Sequence, residues 1–172
     1  MRIVTTLVVL LFGCAKSSPE APLRVNLGID RSSTTKAMAD HQYCWEEQRP
    51  ATRYENYKRC ERPGPEWGES WVTAVFDGSG EKLVEVRRWE RFTDEARATE
   101  RWNQLVGDRA KSTPMSDEAL ATLRASGLLQ AGTKALRAFR EGEVVIGVYL
   151  LEPTPPEEAS ILERIVALPA KR

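Results

Sequence analysis

Two stretches, WVTAVFDGSGEKLVEVRRWERF (71–92) and KALRAFREGEVVIGVYLLEP (134–153), constrain the fold more than any other part of the chain. Each places two β-rich runs around a short turn, DGSG in one and REGE in the other, which is the pattern of a hairpin. A helix signal follows each. After the first, Thr93 is placed to cap a helix that opens with Asp94 and Glu95 at its positive end. Ala98, Trp102, Leu105 and Val106 form its buried stripe, and Gly107 is placed to end it. After the second, TPPE forms a capping box, with Thr154 as cap, Pro155 at the first helical position and Glu157 reaching back. Ile161, Leu162, Ile165 and Val166 then line a final helix. Between the two units Pro114 marks a loop, and Ser116 caps a short helix that turns Leu120 and Leu123 inward and stops at Gly127.

Side by side, residues 71–107 and 134–168 look like two ββα units, with Phe76 matching Phe139. Coincidence between two common motifs is the alternative. Either way, antiparallel hairpins with helices join into one layer, so the expected class is α+β, an antiparallel sheet of four to five strands with helices packed mainly on one face. The run VVIGVYLL is apolar at successive positions and belongs at the centre of that sheet.

Upstream, the signals are weaker. LRVNLGID alternates Leu23, Val25, Leu27 and Ile29 with polar residues or glycine, the period of a half-buried strand. The competing reading is a continued tether. Ser32 or Ser33 can cap a helix through about Gln48 with Met38, His41 and Trp45 on one face, and Pro50 ends it. From Arg49 to Glu69, RPATRYENYKRCERPGPEWGE has no clean period and reads as a long loop. Long irregular loops are often functional, so Tyr54, Tyr57 and Trp67 are the candidate partner-binding residues.

The chain opens MRIVTTLVVLLFGCAKSS: Arg2 is a positive flank, Ile3 to Phe12 an apolar run, and small residues flank Cys14. That is the layout of a cleaved secretion signal. The run is about half the roughly 20 residues a membrane-spanning helix needs. LFGC, at Leu11 to Cys14, resembles the lipobox of bacterial lipoproteins, although Phe12 departs from the usual small or β-branched residue. The resemblance implies that Cys14 becomes the mature N-terminus and carries diacylglycerol, with a further acyl chain such as palmitate on its amine. Several chains together give stable membrane attachment where one does not. Ala15 after the cysteine implies the periplasmic face of the outer membrane. The alternative is an ordinary signal peptide that leaves a soluble periplasmic protein. On the lipoprotein reading, 1–13 is signal peptide, 14–22 (with AKSSPEAP at 15–22) a lipidated tether and 23–172 a single domain.

With Cys14 assigned to lipid, Cys44 and Cys60 remain in a chain sent to an oxidising compartment, and a disulfide closing loop 44–60 is expected. It would stabilise the fold by roughly 3 kcal/mol in the chain-entropy picture. A metal site built from His41, Cys44 and Cys60 is the rival, but no fourth ligand is signalled. No metal or cofactor is therefore expected. Without Arg2, 24 Lys and Arg face 25 Asp and Glu, a balance that argues against nucleic-acid binding.

Catalytic signals are sparse. A histidine triad would have to use His41, the only histidine, and Asp40 cannot orient it by adjacency alone. No phosphate-binding loop, dinucleotide fingerprint or zinc-protease helix is present, and DGSG lies between strands, where it is a turn. Glu46 and Glu47 point apart on a helix and do not make a carboxylate pair. Trp71 and Trp102 read as core, and Trp67 as exposed. The expected function is therefore a non-enzymatic envelope lipoprotein that binds another envelope or cell-wall component. The alternatives are an envelope hydrolase acting on cell wall or lipid, and a small-ligand carrier with a pocket between helices and sheet.

Overall fold

A computed structural model describes residues 21–46, 53–61, 69–153 and 159–167. The signal and tether, Cys14, Trp67 and the capping box at Thr154, Pro155 and Glu157 lie outside them. Among the described residues the chain runs α1 (Arg31–Asp40), β1 (Tyr43–Trp45), β2 (Tyr54–Arg59), β3 (Glu69–Phe76), β4 (Leu83–Phe92), α2 (Glu95–Ala110), α3 (Asp117–Ala125), β5 (Thr133–Glu141), β6 (Val144–Leu151) and β7 (Ala159–Ala167). The strands form one antiparallel sheet in the order β1-β2-β3-β4-β7-β6-β5. The class is α+β, and the sheet has seven strands where four to five were expected.

Both hairpins form. In the β3–β4 turn the Asp77 carboxylate accepts from Ser79 Oγ at 2.7 Å and from the Glu81 amide at 3.0 Å. The β5–β6 turn uses Gly142 at φ +59°, a conformation that favours glycine. β6 is an interior strand, paired with β5 and β7 and buried on both faces. The two helices between the hairpins also form. Ser116 Oγ accepts the Ala119 amide at the start of α3. α2 is capped by Asp94 rather than Thr93, and it runs through Gly107 to Ala110.

Four expectations fail, each for a physical reason. First, the predicted last helix is β7. Its apolar residues fit a helical stripe, but Ile161 and Ile165 face one side of the sheet while Leu162 and Val166 face the other. β7 lies between β4 and β6, so a continuous apolar run is what its two covered faces require. The second unit is thus a β5–β6–β7 meander and not a ββα repeat. Second, the predicted loop contains β2, where Glu55 and Tyr57 alternate with Asn56 and Lys58. Third, the first helix is capped by Asp30 and stops at Asp40. Gln42, in the left-handed region at φ 62°, redirects the chain into β1. Trp45 therefore lies on a strand and is 51% exposed. Fourth, residues 23–29 form no strand: they run to a turn at Leu27 and Gly28, where Gly28 takes φ +82°. They form a strap across one face, tied at its far end where the Gly28 amide donates to the Leu83 carbonyl at 2.7 Å.

Alternate residues of β6 define two cores, since successive strand side chains point to opposite faces. Ile146, Val148 and Leu150 join Leu23, Met38, Ala98, Trp102 and Leu105, beneath the strap, α1 and α2. Val145, Tyr149 and Leu151 join Ala119 and Leu123 beneath α3 on the other face. The disulfide between Cys44 and Cys60 is present, with a Cα separation of 4.8 Å, and ties β1 to the end of β2. Beside it, the Cys60 amide donates to the Gln42 carbonyl at 2.9 Å.

Candidate functional site

The helix-covered face contains charges where the period of its elements demands apolar side chains. In β4, Arg88 and Glu90 point inward between Val86 and Phe92. In α2, Arg101 and Arg109 lie among the buried positions with Ala98, Trp102 and Leu105. In β7, Glu163 points inward between Ile161 and Ile165. Arg88 is 1% exposed, Arg109 2% and Glu163 0%. Ions this deeply buried survive only when paired and hydrogen-bonded.

They form a connected network. Arg101 donates to both Glu90 oxygens, from Nε at 2.8 Å and Nη2 at 2.9 Å. Arg88 bridges Glu90 and Glu163, with Nη2 2.9 Å from Glu163 Oε2. Arg109 Nη2 donates to Glu163 Oε1. Burial works against ionisation of Glu163, but Arg88 and Arg109 outweigh it and hold the carboxyl below its ordinary value. Glu90 is likewise held low, by Arg88 and Arg101 against the same burial.

The network also holds the strap. The Leu23 amide donates to Glu163 Oε2 at 3.2 Å, the Leu23 carbonyl accepts from Arg109 at 2.6 Å, and the Ala21 carbonyl accepts from Arg88 at 2.7 Å. A backbone lying across a sheet face cannot use ladder hydrogen bonds, so side chains must satisfy it. His41, at the C-terminal end of α1, adds to the hold: the Arg24 amide donates to its Nε2 at 3.2 Å. Burial pushes the His41 pKa down. The ring's place against the strap backbone gives it a structural task.

Between the strap, the C-terminal end of α2 and the sheet lies a half-open cleft of about 720 Å³. Leu23, Val25 and Leu27 form one wall, Val144, Ile146 and Ile165 the floor, and Arg109, Ser112 and Thr113 the end at α2. Its size falls in the range of small-molecule sites, and its lining is half apolar and half polar or charged.

Of the residues expected to bind a partner, the two described ones, Tyr54 and Tyr57, are not brought together. Tyr54 is 49% exposed on β2, whereas Tyr57 is fully buried and donates to Glu55 at 2.6 Å. Successive positions on one strand face opposite ways, so the two cannot share a surface. On Tyr54's face, Trp71 stacks with Trp89, centroids 6.0 Å apart, and Arg91 lies over Trp71. That ladder spends its ring faces internally. Among the described residues, no group of three or more His, Cys, Asp or Glu side chains is placed to hold a metal. No helix of the described residues is long and apolar enough to cross a membrane. Leu23, Val25, Leu27 and Ile165 are apolar inward positions on sequence pattern alone, whereas the charged network is signalled only by charges at inward-facing positions of β4 and α2. Comparison of the chain with protein-family models, with characterised proteins and with solved structures finds no match to any of them.

Proposed function

We propose that this chain is a non-enzymatic lipoprotein of the bacterial envelope, held through lipid on Cys14 at the periplasmic face of the outer membrane, and that its domain is a binding module. The observation that carries the binding half is the cleft of about 720 Å³ beneath the strap. The anchor half rests on LFGC and the apolar run before it. A concave site of this size favours capture of a small ligand over docking of an envelope protein. The hydrolase reading has less support, because His41 Nε2 faces the Arg24 backbone.

Intact-mass measurement of the full chain purified from envelopes tests both halves. Under denaturing conditions the mass should include diacylglyceryl and N-acyl groups, and Cys14→Ser should remove them along with membrane association. Under native conditions a non-covalent adduct should appear, and narrowing the cleft with Val144→Trp should diminish it. A chain without the covalent increment is not a lipoprotein, and an adduct indifferent to Val144→Trp does not occupy the cleft.

A further inference from the structure

Among the described residues the charges beneath the cleft do not balance. On this face of the sheet Arg88, Arg101 and Arg109 bring three buried positive charges, while Glu90 and Glu163 bring two negative ones. Arg101 is committed to Glu90 through two hydrogen bonds. Arg109 shares Glu163 with Arg88, and its buried Nε has no hydrogen-bond partner. Arg109 also lines the cleft. The exposed lining residues Arg24 and Glu141 carry one charge of each sign, so the excess belongs to the buried end.

An uncompensated buried guanidinium is costly, and a buried donor with no acceptor adds to the cost. One ligand chemistry relieves both. A carboxylate near Arg109 supplies the missing negative charge and an acceptor for Nε–H. An alkyl chain behind it removes Val25, Leu27, Val144, Ile146 and Ile165 from water. A cationic amphiphile would add a second unbalanced charge to the same place.

We propose that the cleft binds a fatty acid, with its carboxylate toward Arg109 and its chain along Val144, Ile146 and Ile165. The proposal rests on the binding-module reading and gives that module its ligand class.

The test is calorimetric titration of the purified full chain, in nonionic detergent with a detergent blank, using dodecanoate and, separately, dodecyltrimethylammonium. Dodecanoate should give saturable one-site heat. The cationic amphiphile should bind at least about thirtyfold more weakly, the discrimination expected when a buried charge loses its partner. Val144→Trp on the floor and Val25→Trp on the opposite wall should each weaken dodecanoate binding by a similar factor. The idea is overturned by the absence of saturable heat above the blank, by equal binding of the two head groups, or by wild-type affinity in both folded Trp variants. Failure of dodecanoate to bind a chain that carries lipid on Cys14 removes the ligand class alone. Dodecanoate binding by a chain without that lipid removes the anchor and keeps the ligand.

Discussion

Glu163→Gln separates a structural ion network from an incidental one. The Glu163 carboxylate accepts from Arg109 and from the Leu23 amide at 3.2 Å, forms an ion pair with Arg88 Nη2 at 2.9 Å, and is fully buried. An amide of the same shape keeps one acceptor oxygen and puts an NH₂ where donors converge, so a donor must face a donor. It also leaves Arg88, Arg101 and Arg109 with Glu90 as their only buried carboxylate in the network. Removing one partner of a buried pair costs about 3–5 kcal/mol. Against a total stability of about 5–15 kcal/mol, that takes a large share. Urea unfolding should show the midpoint falling with the slope unchanged. Because Glu163 holds Leu23, trypsin should also cut after Arg24 faster under native conditions. The pH dependence follows from the same residue. Its folded pKa lies below its unfolded one, so the unfolded chain binds the extra proton, and the contribution of Glu163 is present above the unfolded value near 4.5. It is lost as pH falls through the lower folded value. The variant should lack this part of the acid sensitivity. A loss under about 1 kcal/mol, the worth of an exposed pair, would refute the reasoning.

Four further outcomes are expected. Replacing Cys44 and Cys60 by Ser, or reducing the bond, should lower stability by roughly 3 kcal/mol for a 16-residue separation, read from the urea midpoint; no change would mean that β1 and β2 stay together without the bond. Gly107→Ala lies within α2 with nothing near the added carbon and should stabilise by about 0.5–1 kcal/mol. Gly147→Ala puts a carbon 2.6 Å from Tyr149 Cε2 and 3.0 Å from Leu123 Cδ1 and should destabilise by about 1–3 kcal/mol. A melting temperature that does not fall in Gly147→Ala would contradict the packing of α3 on β6, and one that does not rise in Gly107→Ala would contradict the open surroundings of Gly107 in α2. Gln42→Gly relieves a side chain held at φ 62° and should raise the melting temperature, with a gain of about 0.5 kcal/mol once glycine's greater unfolded freedom is subtracted; a lower one would place the strain elsewhere.

The hairpins were legible because local signals determine them: alternating or β-rich runs around DGSG and REGE need no knowledge of distant neighbours. β7 was not, because ASILERIVA satisfies a helical stripe and a strand buried on both faces equally well, and only insertion between β4 and β6 decides between them. The alternation in LRVNLGID was real and its meaning was misread. Leu23 and its alternate neighbours do pack inward, but the segment is held by side chains at Leu23 and touches a strand only at its far end, where Gly28 and Ile29 bond to the Leu83 backbone. Of the cleft, the sequence carried a trace in Arg88, Glu90, Arg101 and Arg109, each at an inward position of an otherwise apolar pattern. Their partner Glu163 was hidden by the helical reading of β7.

The misread strap has a consequence for function. Had residues 23–29 paired with a sheet edge, the path toward Cys14 would leave from the rim and the cleft would lose a wall. Instead the point of departure is fixed over the middle of the sheet by Arg88, Arg109 and Glu163, and Leu23, Val25 and Leu27 border the cleft. On the reading that Cys14 carries lipid, the nine residues 14–22 span at most about 30 Å, so the wall of the cleft stays within that distance of the bilayer surface. A single buried network therefore couples the stability of the fold to the shape of the cleft and, if Cys14 carries lipid, to the distance of the cleft from the membrane. A ligand whose carboxylate reaches Arg109 would strengthen the charge balance that holds the strap. Ligand occupancy and strap docking should then favour each other, since whatever binds the docked state better shifts the population toward it.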